Sequence, residues 1–545
     1  MNPPDEPAGE PAGPSFVRST AVMSVGTALS RLTGFLRVIA MLYALGVGES
    51  RLADAYNVAN TTPNIIYELA LGGILSSVFI PVFVEWLETR SREEAWHSAR
   101  AVLSFTILVL GGVMVLGILV APWIIRAYTF RDSGANREAY RALASFFLVW
   151  FMPQIVFYGA GAVATGLLNA HRRFAVPMFA PILNNLLVTA TFVVFTLLPH
   201  HTTPTESTLT ELQKLVLALG TTLGVAGMTL VLWPSLRKVG FRFRFTLDLK
   251  DEAFRRIGRL AGWALVYVVV NQLGYLVVII LSNTHRGDYT AYSSAFIFFQ
   301  LPHAIFAVSV FTALLPSLSS RWADRDVAGY RALLSQGIRA TALVVVPAAL
   351  GYIALAVPIM RLLVQHGLVD QPDTILLANL LAIFAIGLFS FSSFQLFLRA
   401  FYAMQDTRTP AVINVFATGL NTVLNVIFYR YFGVRGLAMG HASAYTFAAI
   451  TSAIVLRRRL SGIDGRRVSV SIAKTVLAGG AAAGAAFVAA RLVAGTLGTA
   501  TLGPQAAQVG GGLAAGLLAF VLAAVALRIH EVDLLRRLLT SRVKR

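Results

Sequence analysis

Residues 101–125 read AVLSFTILVLGGVMVLGILVAPWII, twenty-five positions without a charged side chain. A bilayer core is about 30 Å thick and a helix rises about 1.5 Å per residue, so this stretch is long enough to cross. Backbone groups find no water in hydrocarbon, which makes a helix the required form and excludes open strands. Thirteen further stretches of this kind surround it. The expected spans are Ala21–Leu45, Ala53–Leu87, Ala101–Ile125, Ala142–Leu168, Phe174–Leu198, Leu215–Leu236, Leu260–Leu281, Tyr292–Leu315, Ala340–Val364, Leu376–Ala400, Ala411–Tyr429, Leu437–Leu456, Val470–Leu492 and Val509–Leu527. The whole chain of 545 residues is 56 % hydrophobic and 13 % charged, with a mean hydropathy of +0.69. Soluble chains carry roughly a quarter charged residues, so a soluble enzyme with a membrane tail is excluded. The fold class is all-α polytopic membrane protein, with about 14 transmembrane helices.

The formal net charge of +19 does not point to nucleic acid once its placement is read. With a cytoplasmic N-terminus, roughly two thirds of the 45 Lys and Arg fall in the tails and in the connections on that side, as the positive-inside rule requires. Residues 1–16 form a Pro-, Gly- and acid-rich tail, and 528–545 a basic amphipathic one, both cytoplasmic. The absence of cysteine removes thiol chemistry and disulfides. No Walker loop, nucleophile elbow or metal-ligand spacing is visible.

An internal repeat organises the spans. Pro63-Asn64-Ile65 and Val78-Phe79-Ile80-Pro81 in the second span are echoed by Pro302-His303-Ala304 and Ala313-Leu314-Leu315-Pro316 in the eighth. Leu167-Leu168-Asn169-Ala170, followed by Pro177 and Asn184, is echoed by Phe401-Tyr402-Ala403-Met404, followed by Pro410 and Asn421. The expected units are a six-helix lobe over 17–236, a basic link over 237–259, a second six-helix lobe over 260–459, and two extra C-terminal helices over 460–527. Six is even, so the two repeats are parallel and the substrate belongs between them.

Charged side chains inside the spans are the functional candidates. Ser30-Arg31-Leu32-Thr33-Gly34-Phe35-Leu36-Arg37 puts two arginines in the middle of the first span. Each costs about 2.5 to 3.5 kcal/mol at that depth, so they should face a wet interior. Anion binding and structural ion pairing both satisfy them; the planar guanidinium fork suits phosphate. Six positions apart they point about 240° around a regular helix, and Gly34 between them permits a bend. A tight turn near Glu49 sets Glu68 level with Arg31 and Thr62 level with Arg37, so Glu68 either neutralises Arg31 or serves proton or cation coupling. Asp54 is a solvated helix start or a cavity-rim group. Pro63 and Gly72-Gly73 make the second span a bending element. Asn421, Asn425, Asn271 and Gln300 are secondary candidates for polar cavity or ion sites, with amide-mediated helix packing the favoured reading.

The residues quoted above resemble a known family. SRLTGFLR, GVGESRLADAYNVANTTPNIIYELALGGILSSVFIPVFVEW, QLPHAIFAVSVFTALLPSLSSRW and AFYAMQDTRTPAVINV are similar to the MurJ/MviN family of lipid II flippases, within the multidrug/oligosaccharidyl-lipid/polysaccharide exporter superfamily. The resemblance implies two six-helix lobes plus two helices forming a groove for a polyprenyl tail. It implies transport of lipid II or a related polyprenyl-pyrophosphate lipid across the bacterial cytoplasmic membrane, with no bond made or broken. Arg31 and Arg37 match the family's essential first-helix arginines, and Asp54 its acidic residue at the start of the second helix. Where some members carry further cavity arginines this chain has Glu68 and Ile297. A sodium site of part of the family maps onto Asn421 and Asn425. No cofactor is implied; the membrane potential and a cation gradient are the open choices of energy source. Export of another polyprenyl-linked saccharide and cation-coupled multidrug antiport are the alternative functions.

Overall fold

A computed structural model of the chain describes residues 14–69, 83, 85, 91–199, 202–248, 268–529 and 531. Its helices fall on the expected spans: α1 (Pro14–Leu45), α2 (Leu52–Tyr67), α3 (Arg92–Tyr128), α4 (Arg137–Ala170), α5 (Ala175–Leu197), α6 (Glu211–Lys238), α7 (Val268–Ser282), α8 (Asp288–Ala323) and α9 (Val327–Val364). Then follow α10 (Gln371–Ile386 and Leu388–Ala403, bent by 47°), α11 (Arg408–Phe432), α12 (Val434–Arg459), α13 (Gly465–Leu497) and α14 (Leu502–Ala526). Eleven are long and apolar enough to cross a membrane, and the bent α10 makes a twelfth. The shorter α2 and α7 adjoin stretches outside the described residues, so the observed helices are compatible with fourteen spans. Gly72-Gly73, Val78-Phe79-Ile80-Pro81, residues 249–259 of the basic link and most of both tails also lie outside the described residues.

Local chemistry sets the helix ends. Ser91 and Glu94 cap the start of α3 reciprocally, as do Thr210 and Gln213 at α6. At the other extreme, α4, α6, α8, α10, α12 and α14 all finish with the same device. A residue in the left-handed region (Arg172, Gly240, Arg325, Gln405, Ser461 and Arg528) is followed by an N–H that reaches back five residues to a helix carbonyl. This Schellman closure satisfies carbonyls that would otherwise be orphaned at the membrane surface. Because helices alternate in direction, all six closures lie on one side.

The repeat is visible in the backbone. Arg173 N bonds Leu168 O at 2.8 Å and Asp406 N bonds Phe401 O at 2.9 Å, and α5 and α11 begin at Ala175 and Arg408, each pair in the same register as Pro177 and Pro410. Gly34 of α1 packs on Asn185 of α5, and Gly274 of α7 packs on Thr418 of α11. Pro63 in α2 and Pro302 in α8 are each followed by a π-helical turn, at 68–69 and 303–307. Helices α1–α6 pack chiefly on one another, as do α8–α12, with α1 and α2 touching α8.

Helices α13 and α14 pack on each other and on α9. Gly512 and Gly516 lie against Ala482 and Ala486, small side chains that let the backbones approach closely. A buried ion pair between Arg339 of α9 and Glu531, with Ile529 buried beside it, fixes the end of α14 to the second lobe.

Candidate functional site

Helix α1 is unbroken through Gly34, which gives close approach to α5. Asn185 Nδ2 donates to Ser30 O at 3.0 Å and to Thr33 Oγ1 at 3.1 Å, stapling α1 to α5 across that glycine. The two arginines therefore keep their angular separation. Arg37, half-buried, lies in electrostatic reach of the Tyr56 and Tyr158 hydroxyls of the first lobe. Arg31, exposed, lies in reach of His303 of the second. Neither has an ion pair or hydrogen bond among the described residues. Phe35, between them in sequence, meets Phe298 of α8 edge-on at 4.8 Å. Thus α1 stands at the seam, with Arg37 acting electrostatically on groups of the first lobe and Arg31 on one of the second.

Glu68 does not pair with Arg31. Equal depth in a hairpin places backbones and leaves side-chain azimuth open, and Glu68 faces a cavity instead. Thr62 is buried and bonds within its own helix, to Val58 O.

Asp54 is neither solvated nor at a rim. It is fully buried, and it accepts from Gly287 N at 2.7 Å, Thr290 N at 3.0 Å and Thr290 Oγ1 at 2.7 Å. A carboxylate of the first lobe thereby caps the N-terminus of α8 in the second, where orphan N–H groups and the helix dipole favour negative charge. Around it, Arg51 donates to Asp132 at 2.8 Å and to Asn283 O at 3.1 Å, lies 4.8 Å from the Tyr140 ring, and donates its backbone N–H to Glu206. Tyr140 also bonds Asn283, Gly48 N donates to Asp373, Arg286 donates to Glu49 O, and Leu368 N donates to Tyr43 O. Among the described residues, every hydrogen bond between the two lobes comes from this end of the molecule, opposite the six Schellman closures, or from the adjoining turns of α2. The spacing of these partners explains why the sequence did not reveal the latch: Arg51 meets residues 81, 155 and 232 positions away. The one available signal was a basic residue on the side that the positive-inside rule leaves poor in them.

Below the latch lies a cavity of about 460 Å³ between the lobes. From α2 it takes Thr61, Asn64, Ile65 and Glu68; from α7, Asn271, Gln272 and Tyr275; from α8, Tyr292 and Phe296. Helices α11 and α12 add Asn414, Thr418, Asn421, His441 and Tyr445. Asn271, Asn421 and Glu68 thus share one space, while Gln300 sits on α8 outside the described wall. Asn425 is fully buried behind Asn421 and donates to its Oδ1 at 2.8 Å. Asn425 packs on Gly440, and its bond to Asn421 joins successive turns of α11, an arrangement of helix packing.

Residues 42–506 match the family described as lipid II flippase MurJ. The chain belongs to this family. Relatives include the lipid II flippase MurJ of Burkholderia cenocepacia, 28 % identical over 454 residues, with 82 % of this chain and 84 % of the relative covered. The probable lipid II flippase MurJ of Vibrio cholerae is 28 % identical over 432 residues, covering 78 % and 79 %. The fold is shared with a MurJ structure in an inward closed conformation, with a TM-score of 0.74, 20 % identity and coverage of 93 % of this chain and 99 % of that one. An inward-facing multidrug MATE transporter aligns with a TM-score of 0.65 at 15 % identity, covering 80 % and 99 %.

Within the MurJ fold the two departures fall in different surroundings. Glu68 lines the cavity, whereas Ile297 is a partly exposed apolar residue of α8. The described wall contains no Lys or Arg.

Proposed function

We propose that this protein flips lipid II, carrying its polar headgroup from the cytoplasmic to the outer leaflet by alternating access while the lipid tail stays in the bilayer. The observation that carries the reading is the concentration of inter-lobe bonds at one end, with a lobe-interface cavity and two arginines that have no ion pair among the described residues on the other side of them. That is the geometry of a carrier shut at one face. In this reading the latch is the outer gate, the N- and C-termini are cytoplasmic, and Arg31 and Arg37 hold the pyrophosphate through charge-assisted hydrogen bonds. No bond in the lipid is made or broken. The membrane potential or a cation gradient drives the cycle, and the arginines in α1 are charges on which such a field acts.

The test is rescue of a strain depleted of its flippase. Arg31→Ala and Arg37→Ala, present at wild-type levels, are expected to lose rescue and to leave lipid II in the inner leaflet. Full rescue by both removes the arginines from the site. The carboxylate and aromatic rings of the cavity give a second reading, export of organic cations; uptake of a cationic dye by proteoliposomes under a proton gradient would favour it.

A further inference from the structure

The cavity has the opposite chemistry to α1. Its described wall holds one carboxylate, Glu68, and no basic residue other than His441. Tyr275, Tyr292, Phe296 and Tyr445 contribute ring faces, which carry negative electrostatic potential. Such a wall repels phosphate and attracts a cation.

Three features narrow the cation. A volume of about 460 Å³ lies in the range for small-molecule groups and far exceeds what a bare metal ion needs. One carboxylate is too few for a tight divalent site, which draws on six or more oxygens. Glu68 is exposed to the cavity and carries no ion pair among the described residues. In the same wall the Asn414 Nδ2 and His441 Nε2 atoms are buried without a hydrogen-bond partner among the described residues. Thr61, Asn64, Gln272 and Asn421 line the same cavity as Glu68, and their oxygens can accept from an ammonium or bond the neutral groups around it.

A ring contact leads from the residue next to Glu68 toward the first-lobe side of α1. Tyr67, next to Glu68, packs against Tyr158 at 5.2 Å between ring centres, and the Tyr158 hydroxyl lies in the field of Arg37.

We propose that Glu68, with the surrounding rings, is a subsite for a primary ammonium on the headgroup of the transported lipid, separate from the arginines that hold its phosphates. This rests on the flippase reading of the same site. Ammonium recognition by a carboxylate contributes a charged hydrogen bond, so losing it weakens binding about tenfold or more.

The test uses the full chain in detergent and lipid II bearing a free amine on its peptide, compared with the same lipid after N-acetylation. Wild-type protein is expected to bind the acetylated form about tenfold more weakly, and Glu68→Gln to bind both forms equally. Glu68→Gln must still bind both forms as tightly as the wild type binds the acetylated one, so misfolding of the variant cannot imitate this result. Equal binding of both forms by the wild type overturns the ammonium subsite while leaving the flippase reading intact; failure of the wild type to bind either form overturns that reading itself. Tight ethidium binding that Glu68→Gln abolishes, with no effect of acetylation, reassigns the carboxylate to free organic cations and overturns the headgroup assignment.

Discussion

Arg51 and Asp132 meet at 2.8 Å with side chains only 7 % and 1 % exposed, and from that position Arg51 reaches across the seam to the carbonyl of Asn283. The ion pair is internal to the first lobe, yet it aims a guanidinium at the second. A buried charge is retained here only because several acceptors share it.

Removing Asp132 leaves Arg51 buried with less compensation. Asp132→Ala is expected to lower the stability of the closed form by about 3 to 5 kcal/mol, the range for breaking one side of a buried pair. The chain has no cysteine, so Ser293→Cys, half-buried on α8 just below the latch, gives a clean reporter. Its labelling by an impermeant maleimide from the outer face should rise in Asp132→Ala; an unchanged rate would remove the pair from the gate.

Gly287 stands at a positive φ of 81°, and a Cβ there would lie 2.8 Å from Val47 O and 2.9 Å from the Gly48 Cα. Those are backbone atoms of the opposite lobe and cannot rotate away. Gly287→Ala should therefore wedge the lobes apart and raise Ser293→Cys labelling without touching any charge. Retention of wild-type labelling would mean that the seam yields elsewhere.

Asp54 supplies three acceptor contacts to the first turn of α8. Asp54→Ala should cost about 0.5 to 2 kcal/mol as a lost helix cap, and more if the freed N–H groups stay dry. Asp54→Asn, which keeps one carbonyl acceptor, should fall between wild type and alanine. The spacing between spin labels on α2 and α8 at this face should increase in the same order.

Arg339 and Glu531 tie the end of α14 to α9. Arg339→Ala and Glu531→Ala should each destabilise the protein by about 3 kcal/mol in detergent melts, and the double variant by less than their sum, because neither charge is then left alone. Additive losses would show that the pair does not hold the C-terminal helices.

The sequence by itself determined the fold class and the place of the spans that the described residues cover. Hydropathy and the energetic impossibility of unpaired backbone in hydrocarbon leave no other solution for stretches such as 101–125. It also determined the repeat: the offset that relates Pro177 to Pro410 is the offset between the left-handed residues Arg172 and Gln405. Arg31 and Arg37 were legible as costly charges within a span, since that is a property of position along one helix. Azimuth is not. Which wall Glu68 faces, and that Asp54 caps a helix of the other lobe, depend on how helices 233 to 236 residues apart rotate and pack. The latch around Arg51 is wholly of this kind, because each of its bonds joins segments whose proximity no local propensity encodes. Burial of apolar faces fixes those rotations only when all the helices pack together, so tertiary structure alone decided which polar groups meet.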